Sequence, residues 1–210
     1  MAHLRQLLCY NPADSSLATG KLTKWLGEAE LCMARLFIPD FYVEELLDVD
    51  WTFLKDQGVR HVYLDIDNTL ELQGARQAGP RTQAICQSVL DAGLGLSVLS
   101  NAATERARTF CAPLGLDYLG QAAKPLTGRM RQDMEAKGLK PQELALVGDQ
   151  IFTDLWCARA LGCQAVLVRS LGGQEGFWLR VKRKLEKFLL LLGQDPRKAP
   201  RLPLKTKPIA

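Results

Sequence analysis

HVYLDIDNTL, residues 61–70, decides how the rest of the chain is read. Its first half is a strand-length run of apolar and aromatic residues; its second half sets Asp65, Asp67, Asn68 and Thr69 where that strand gives way to a turn. Side chains alternate across a strand, so Asp65 and Asp67 leave it on the same side. Two carboxylates so placed are costly to bury unless a cation or hydrogen bonds satisfy them. Taken alone, the segment also reads as a turn-forming Asp–Asn cluster.

Three further runs have the same strand character: LGLSVLS at 94–100, LALVG at 144–148 and QAVLV at 164–168. Helical segments lie between and around them, at 80–92 with Pro80 in the first turn, at 104–111, at 125–137 closed by Gly138, and at 153–161 closed by Gly162. This βαβαβαβ order predicts an α/β fold with a doubly wound parallel sheet, in which functional groups gather at the carboxyl ends of the strands. Those ends supply Asp65 and Asp67, then Ser100 and Asn101, then Lys124 ahead of Pro125, then Asp149 and Asp154 in GDQIFTD at 148–154. The set suits phosphoryl transfer on a carboxylate. One Asp attacks phosphorus, a metal ion and a Lys offset the charge around it, and a second carboxyl protonates the leaving alkoxide and then activates water. A hard cation such as Mg²⁺ takes oxygen ligands of this kind.

With 210 residues, 47% hydrophobic and 24% charged, the chain has the profile of one globular domain with short additions. Its formal charge of +4 is uneven: residues 180–210 carry ten Lys/Arg against Glu186 and Asp195, a net +8, and the first 179 residues sum to −4. Such a basic end favours a polyanion or membrane-surface contact, or is simply a solvated tail. The six cysteines form no CxxC pair, and the start MAHLRQLLCYNPAD holds too short an apolar stretch for a signal peptide, so reduced thiols in a cytoplasmic protein are expected. The longest apolar run, 188–192, falls far short of the roughly 18 residues of a spanning helix.

DIDNT at 65–69, Ser100, Lys124 and GDQIFTD at 148–154 together resemble the four ordered motifs of the haloacid dehalogenase-like (HAD) phosphatases, over about residues 60–169. The resemblance implies a Rossmann-like core with Asp65 as nucleophile and metal ligand. It makes Asp67 the general acid/base, with its carbonyl on the metal, and Ser100, Asn101, Lys124 and Thr69 the phosphate contacts. Asp149 and Asp154 complete the Mg²⁺ site, Asp154 by bracing it. Only about ten residues separate Leu70 from the helix at Pro80, and Asn101 leads almost directly into the next helix, so a core without a cap domain is expected. RLFIPDFYVEELLDV at 35–49, the LDIDNTL form, SNA, AKP at 123–125 and GFWLRVKRKLEK at 176–187 are similar to the YqeG-type, subclass IIIA branch, which includes phosphatidylglycerophosphate phosphatases.

The expected organisation is an N-terminal helical extension over 1–59, a catalytic core over 60–175, and a basic amphipathic helix with a Pro-rich basic tail over 176–210. Segment 21–36 has helical apolar spacing and reads as a helix covering the sheet, or facing a membrane or a partner. In 176–192, Trp178, Val181, Leu185 and Phe188 share a face while five basic residues lie between them, the pattern of an interfacial helix or of an ordinary last helix packed on the domain. The expected function is hydrolysis of the phosphatidylglycerophosphate monoester at a membrane surface, by an enzyme held peripherally on its cytoplasmic face. Alternatives are a polynucleotide 3′-phosphatase or other soluble phosphomonoesterase, and a non-catalytic phospho-binding scaffold. No nucleic-acid motif is present, so specific nucleic-acid binding is not expected.

Overall fold

The computed structural model describes residues 37–172, 197 and 199–205. The segments 21–36 and 176–192 singled out above lie outside the described residues. Six parallel strands form one sheet in the order β1-β6-β5-β2-β3-β4. They are β1 (Phe41–Val43), β2 (His61–Leu64), β3 (Gly95–Leu99), β4 (Asp117–Leu119), β5 (Leu144–Gly148) and β6 (Gln164–Val168). The α-helices that lie wholly within the described residues are α1 (Thr52–Asp56), α2 (Pro80–Asp91), α3 (Thr104–Cys111), α4 (Gly128–Ala136) and α5 (Trp156–Leu161).

Every residue of β2 and β5 is buried, as expected where helices cover both faces of a parallel sheet. Alternation divides the strand residues between two cores. Val62, Leu64, Val98 and Val147 pack with Trp51 and Leu54, with Ile85 and Val89 of α2, and with Phe110 of α3. Tyr63, Leu99, Leu144 and Leu146 pack with Met130 and Met134 of α4 and Leu161 of α5 on the other side. Trp51 is a packing residue, and its indole Nε1 donates to Ser88 Oγ at 3.0 Å.

From β2 the chain winds outward through β3 and β4, then returns across β2 to build β5 and β6 on the other side. The winding therefore reverses between β2 and β5, and the crevice at their carboxyl ends is where open α/β sheets bind ligands. A hydrogen bond from Asp65 N to Val147 O, 3.0 Å, carries the β2–β5 ladder one residue past the strand and fixes Asp65 at that crevice.

The four expected strands are present, and two short ones, β1 and β4, join them. Because β1 lies within the expected N-terminal extension 1–59, the sheet begins before residue 60, and that extension is not purely helical. The last helix also differs: residues 151–155 form a π-helical turn, and α5 starts only at Trp156. Near the other end of the chain, the expected tail is partly docked. Tyr42 N donates to Pro200 O and Asp50 N to Pro203 O, each at 2.9 Å, and Lys205 N donates to Asp48 O at 2.8 Å. Leu202 is buried in the first core, and Arg201 pairs with Glu44 at 2.6 Å.

Among the described residues no folded insertion follows β2 or β3. Residues 72–79 form a loop, and only Ala102 and Ala103 separate Asn101 from α3. No helix of the described residues is long and apolar enough to cross a membrane.

Candidate active site

After Asp65 the chain turns tightly. Leu70 N and Glu71 N both donate to Ile66 O at 3.1 Å, and Asn68 takes the left-handed conformation, φ 59°, which Asn tolerates better than most residues. Asp65 and Asp149 follow the neighbouring strands β2 and β5 and are both buried. The π turn carries Asp154 back toward them, a wider turn than an α-helix allows and a form common at functional sites. Gly148 is required beneath it, because a Cβ there would overlap the Asp154 carboxyl group.

Lys124 enters from the segment between β4 and α4 and places its ammonium at the centre. Its Nζ donates to Asp65 Oδ1 and Asp154 Oδ1, both at 2.6 Å, and to Leu99 O at 2.9 Å, so all three donors are used. Its side chain is 2% exposed, against 6% for Asp65 and 3% for Asp154. Burial alone would lower the Lys124 pKa, but the Asp154 and Asp65 charges outweigh it and keep the ammonium protonated. The Asp65 carboxyl is pushed above the usual carboxylate range, first by burial and then by Asp154 and Asp149, with Lys124 opposing.

Asp65, Asp149 and Asp154 each bring a carboxylate oxygen within 4.8 Å of the others, all buried. Two of these carboxylates bind the ammonium of Lys124 and the third lies beside them, and this excess of hard oxygen donors fits a divalent cation. Both Asp154 oxygens already accept hydrogen bonds, Oδ1 from Lys124 and Oδ2 from Gln150 N at 3.1 Å, so Asp154 braces the cluster.

The other expected residues are distributed around this centre. Ser100 is buried and its Oγ accepts from Ala102 N at 3.1 Å. Thr69 is fully buried, and its Oγ1 has no hydrogen-bond partner among the described residues. Asn101, expected as a phosphate contact, engages Lys124. Its carboxamide grips the backbone of Lys124, accepting from Lys124 N at 2.8 Å and donating to Lys124 O at 3.1 Å. It positions the lysine.

Asp67 is turned aside to a partner the sequence did not reveal. Arg106 donates through Nη1 to Asp67 Oδ2 at 2.9 Å and through Nη2 to Asp67 Oδ1 at 2.7 Å, and Gly74 N adds a bond to Oδ1 at 3.0 Å. Burial would raise the Asp67 pKa, but the Arg106 and Gly74 bonds overcome it and hold the carboxyl below its ordinary range. Only helix phase and the path of the 72–79 loop bring Arg106 to Asp67. The one signal in the sequence is that Asp67 needs a cation and Lys124 is already committed.

Residues 121–176 match the family described as HAD-hydrolase-like. "Probable phosphatase YqeG" of Bacillus subtilis (strain 168) is 27% identical over 158 residues, 75% of this chain and 92% of that protein. Phosphatidylglycerophosphate phosphatase 1, chloroplastic/mitochondrial, of Arabidopsis thaliana is 31% identical over 165 residues, 73% of this chain and 47% of that protein. Phosphatidylglycerophosphate phosphatase 1, chloroplastic, of Chlamydomonas reinhardtii is 31% identical over 172 residues, 77% of this chain and 62% of that protein. The chain thus spans about half and three fifths of the length of the latter two. The family match and these relatives support a place for the chain among the HAD-type phosphatases, beside YqeG and the phosphatidylglycerophosphate phosphatases.

Proposed function

We propose that the protein is a Mg²⁺-dependent phosphomonoesterase that converts phosphatidylglycerophosphate to phosphatidylglycerol at a membrane surface, through an aspartyl phosphate on Asp65. The observation that carries the chemistry is the buried Lys124 ammonium, 2.6 Å from both Asp65 and Asp154 beside a third carboxylate. It orients the nucleophile and leaves the negative charge that a divalent ion would balance.

In this reading an Asp65 oxygen attacks phosphorus, the bond from phosphorus to the leaving oxygen breaks, and Asp67 gives that oxygen a proton. Asp67, then a carboxylate, takes a proton from the water that attacks the phosphoaspartate; the bond from Asp65 to phosphorus breaks and inorganic phosphate leaves. Lys124 and Ser100 hold phosphoryl oxygens, and Thr69, whose buried hydroxyl is otherwise unengaged among the described residues, gives supporting contact. Bound by Asp65 and Asp149, with Asp154 bracing and the Asp67 carbonyl contributing, Mg²⁺ would supply charge neutralisation on the phosphoryl group.

A core without a folded cap suits a phosphate carried on a large assembly, and two relatives named for phosphatidylglycerophosphate support the lipid. The basic segment 176–192 would hold the enzyme to anionic lipid, at about 1 kcal/mol per basic residue near the surface. The polynucleotide alternative relied on a free basic tail, and the docking of 199–205, with Arg201 on Glu44, removes part of that basis.

Phosphate release from phosphatidylglycerophosphate and from sugar phosphates, with and without Mg²⁺ and anionic vesicles, tests the proposal. The lipid is expected to be turned over fastest, only with the metal, and faster on vesicles. Sugar-phosphate turnover that equals or exceeds lipid turnover would remove the lipid substrate.

A further inference from the structure

Arg106 makes the best-formed ion pair at the mouth of the site, and the reaction just described gives it no task. It extends from the first turn of α3, and its end-on fork holds both oxygens of Asp67 at 2.9 and 2.7 Å, while Nε donates to Ala75 O at 2.9 Å. Its side chain is 21% exposed and that of Asp67 20%, so this pair is open at the rim while the Lys124 pairs are sealed below. With Gly74 N, three donors converge on the Asp67 carboxylate.

A carboxylate held in this way does not face a leaving oxygen. To serve the reaction, Asp67 has to turn from Arg106 and leave a partly buried guanidinium without its anion. That exchange is easiest when another anion takes the same fork, and a fork that fits a carboxylate also fits a phosphate. The incoming anion has to sit on the leaving-group side of Asp67, within a few bonds of the leaving oxygen.

We propose that Arg106 is the receptor for a second anionic group on the leaving alcohol, and that Asp67 occupies its place in the substrate-free protein. The enzyme then selects phosphomonoesters whose alcohol bears a further phosphate over those whose alcohol is neutral. This rests on the reading of Asp65 and Asp67 as the reacting pair, but not on the lipid. A phosphodiester in a lipid headgroup and a second phosphate on a small diol present the same chemistry to the fork.

The test compares kcat/KM for propanediol bisphosphate with that for hydroxypropyl phosphate, in the wild type, Arg106→Gln and Arg106→Lys. A bidentate charge-assisted contact predicts a wild-type preference of about tenfold or more for the bisphosphate. The ratio should fall close to one in Arg106→Gln, and Arg106→Lys, with the charge but not the fork, should retain only part of it. The loss of preference should appear mainly in KM. A wild-type ratio near one overturns the proposal, as does an Arg106→Gln variant in which both substrates drop by the same factor. Should Arg106→Gln fail to fold, an Arg106→Lys ratio equal to that of the wild type overturns it too. Short-chain phosphatidylglycerophosphate and p-nitrophenyl phosphate keep the readings apart. A bisphosphate preference without lipid turnover supports Arg106 as receptor and removes the lipid. If wild-type protein with Mg²⁺ does not hydrolyse p-nitrophenyl phosphate, the reaction and this inference fall together.

Discussion

Two networks of buried ionisable groups flank the sheet among the described residues, and they are balanced in opposite ways. At the carboxyl ends of the strands, Asp65 and Asp154 bind the ammonium of Lys124 with Asp149 beside them. Toward the amino ends and the α4 flank, His61 Nε2 lies 2.9 Å from Ser97 Oγ, Tyr63 Oη donates to Asp133 Oδ2 at 2.7 Å, and Lys137 bridges Asp133 and Asp117 at 2.6 and 3.3 Å. In the second network the buried groups stay neutral: burial first, then Lys137, lowers the His61 pKa to about 4, and burial with the Asp133 bond drives the Tyr63 phenol up. The charged members sit at the partly exposed edge. A network built for stability keeps charge out of the interior, whereas the first site concentrates carboxylate there in excess of its cation. That difference separates a reactive site from a packed one of similar residue content.

The comparison breaks most sharply at Asp65. Asp65→Asn should abolish phosphate release, a loss on the order of a thousandfold or more. It removes surplus negative charge, so the thermal midpoint of the metal-free protein should hold or rise. A marked fall would mean that the cluster is held together for stability instead. Lys124→Met strips both Asp65 and Asp154 of their cation and should cost about 3–5 kcal/mol in denaturant unfolding, together with activity.

At the flank the effects are smaller and concern stability alone. Because folded His61 resists protonation until about pH 4, the unfolded chain takes up a proton first as pH falls below the free value near 6.5. Stability contributed by neutral His61 is therefore full above that range and lost between about pH 6.5 and 4, by about 3 kcal/mol. His61→Gln should flatten that slope in urea titrations. Tyr63→Phe should cost about 1–2 kcal/mol, since Asp133 keeps Lys137 as partner, and should leave turnover at the wild-type level. A turnover defect there would show that the two networks are coupled.

Much of this arrangement was legible beforehand because it follows from strand ends. The expected strand runs within 61–70 and at 94–100, 144–148 and 164–168 became β2, β3, β5 and β6, and Asp65 and Asp149, beyond the first and third of them, lie together with Asp154. Strands β1 and β4 escaped because three residues are too few to show a period. Asn101 was placed near the site by its motif, but the atoms it grips, those of the Lys124 backbone, depend on loop path. Arg106 escaped because no motif carries it and only helix phase brings it to Asp67.

The strip at 199–205 has a consequence for how these molecules behave together. It lies along β1 and the turn that follows, where Tyr42 and Asp50 would otherwise present unpaired backbone N–H groups beside the margin of the sheet. An open margin of that kind is a template on which another chain can pair. Pro200 and Pro203 accept hydrogen bonds through their carbonyls yet have no N–H with which to recruit a further strand. Along this margin, the strip therefore finishes the sheet and also ends its growth.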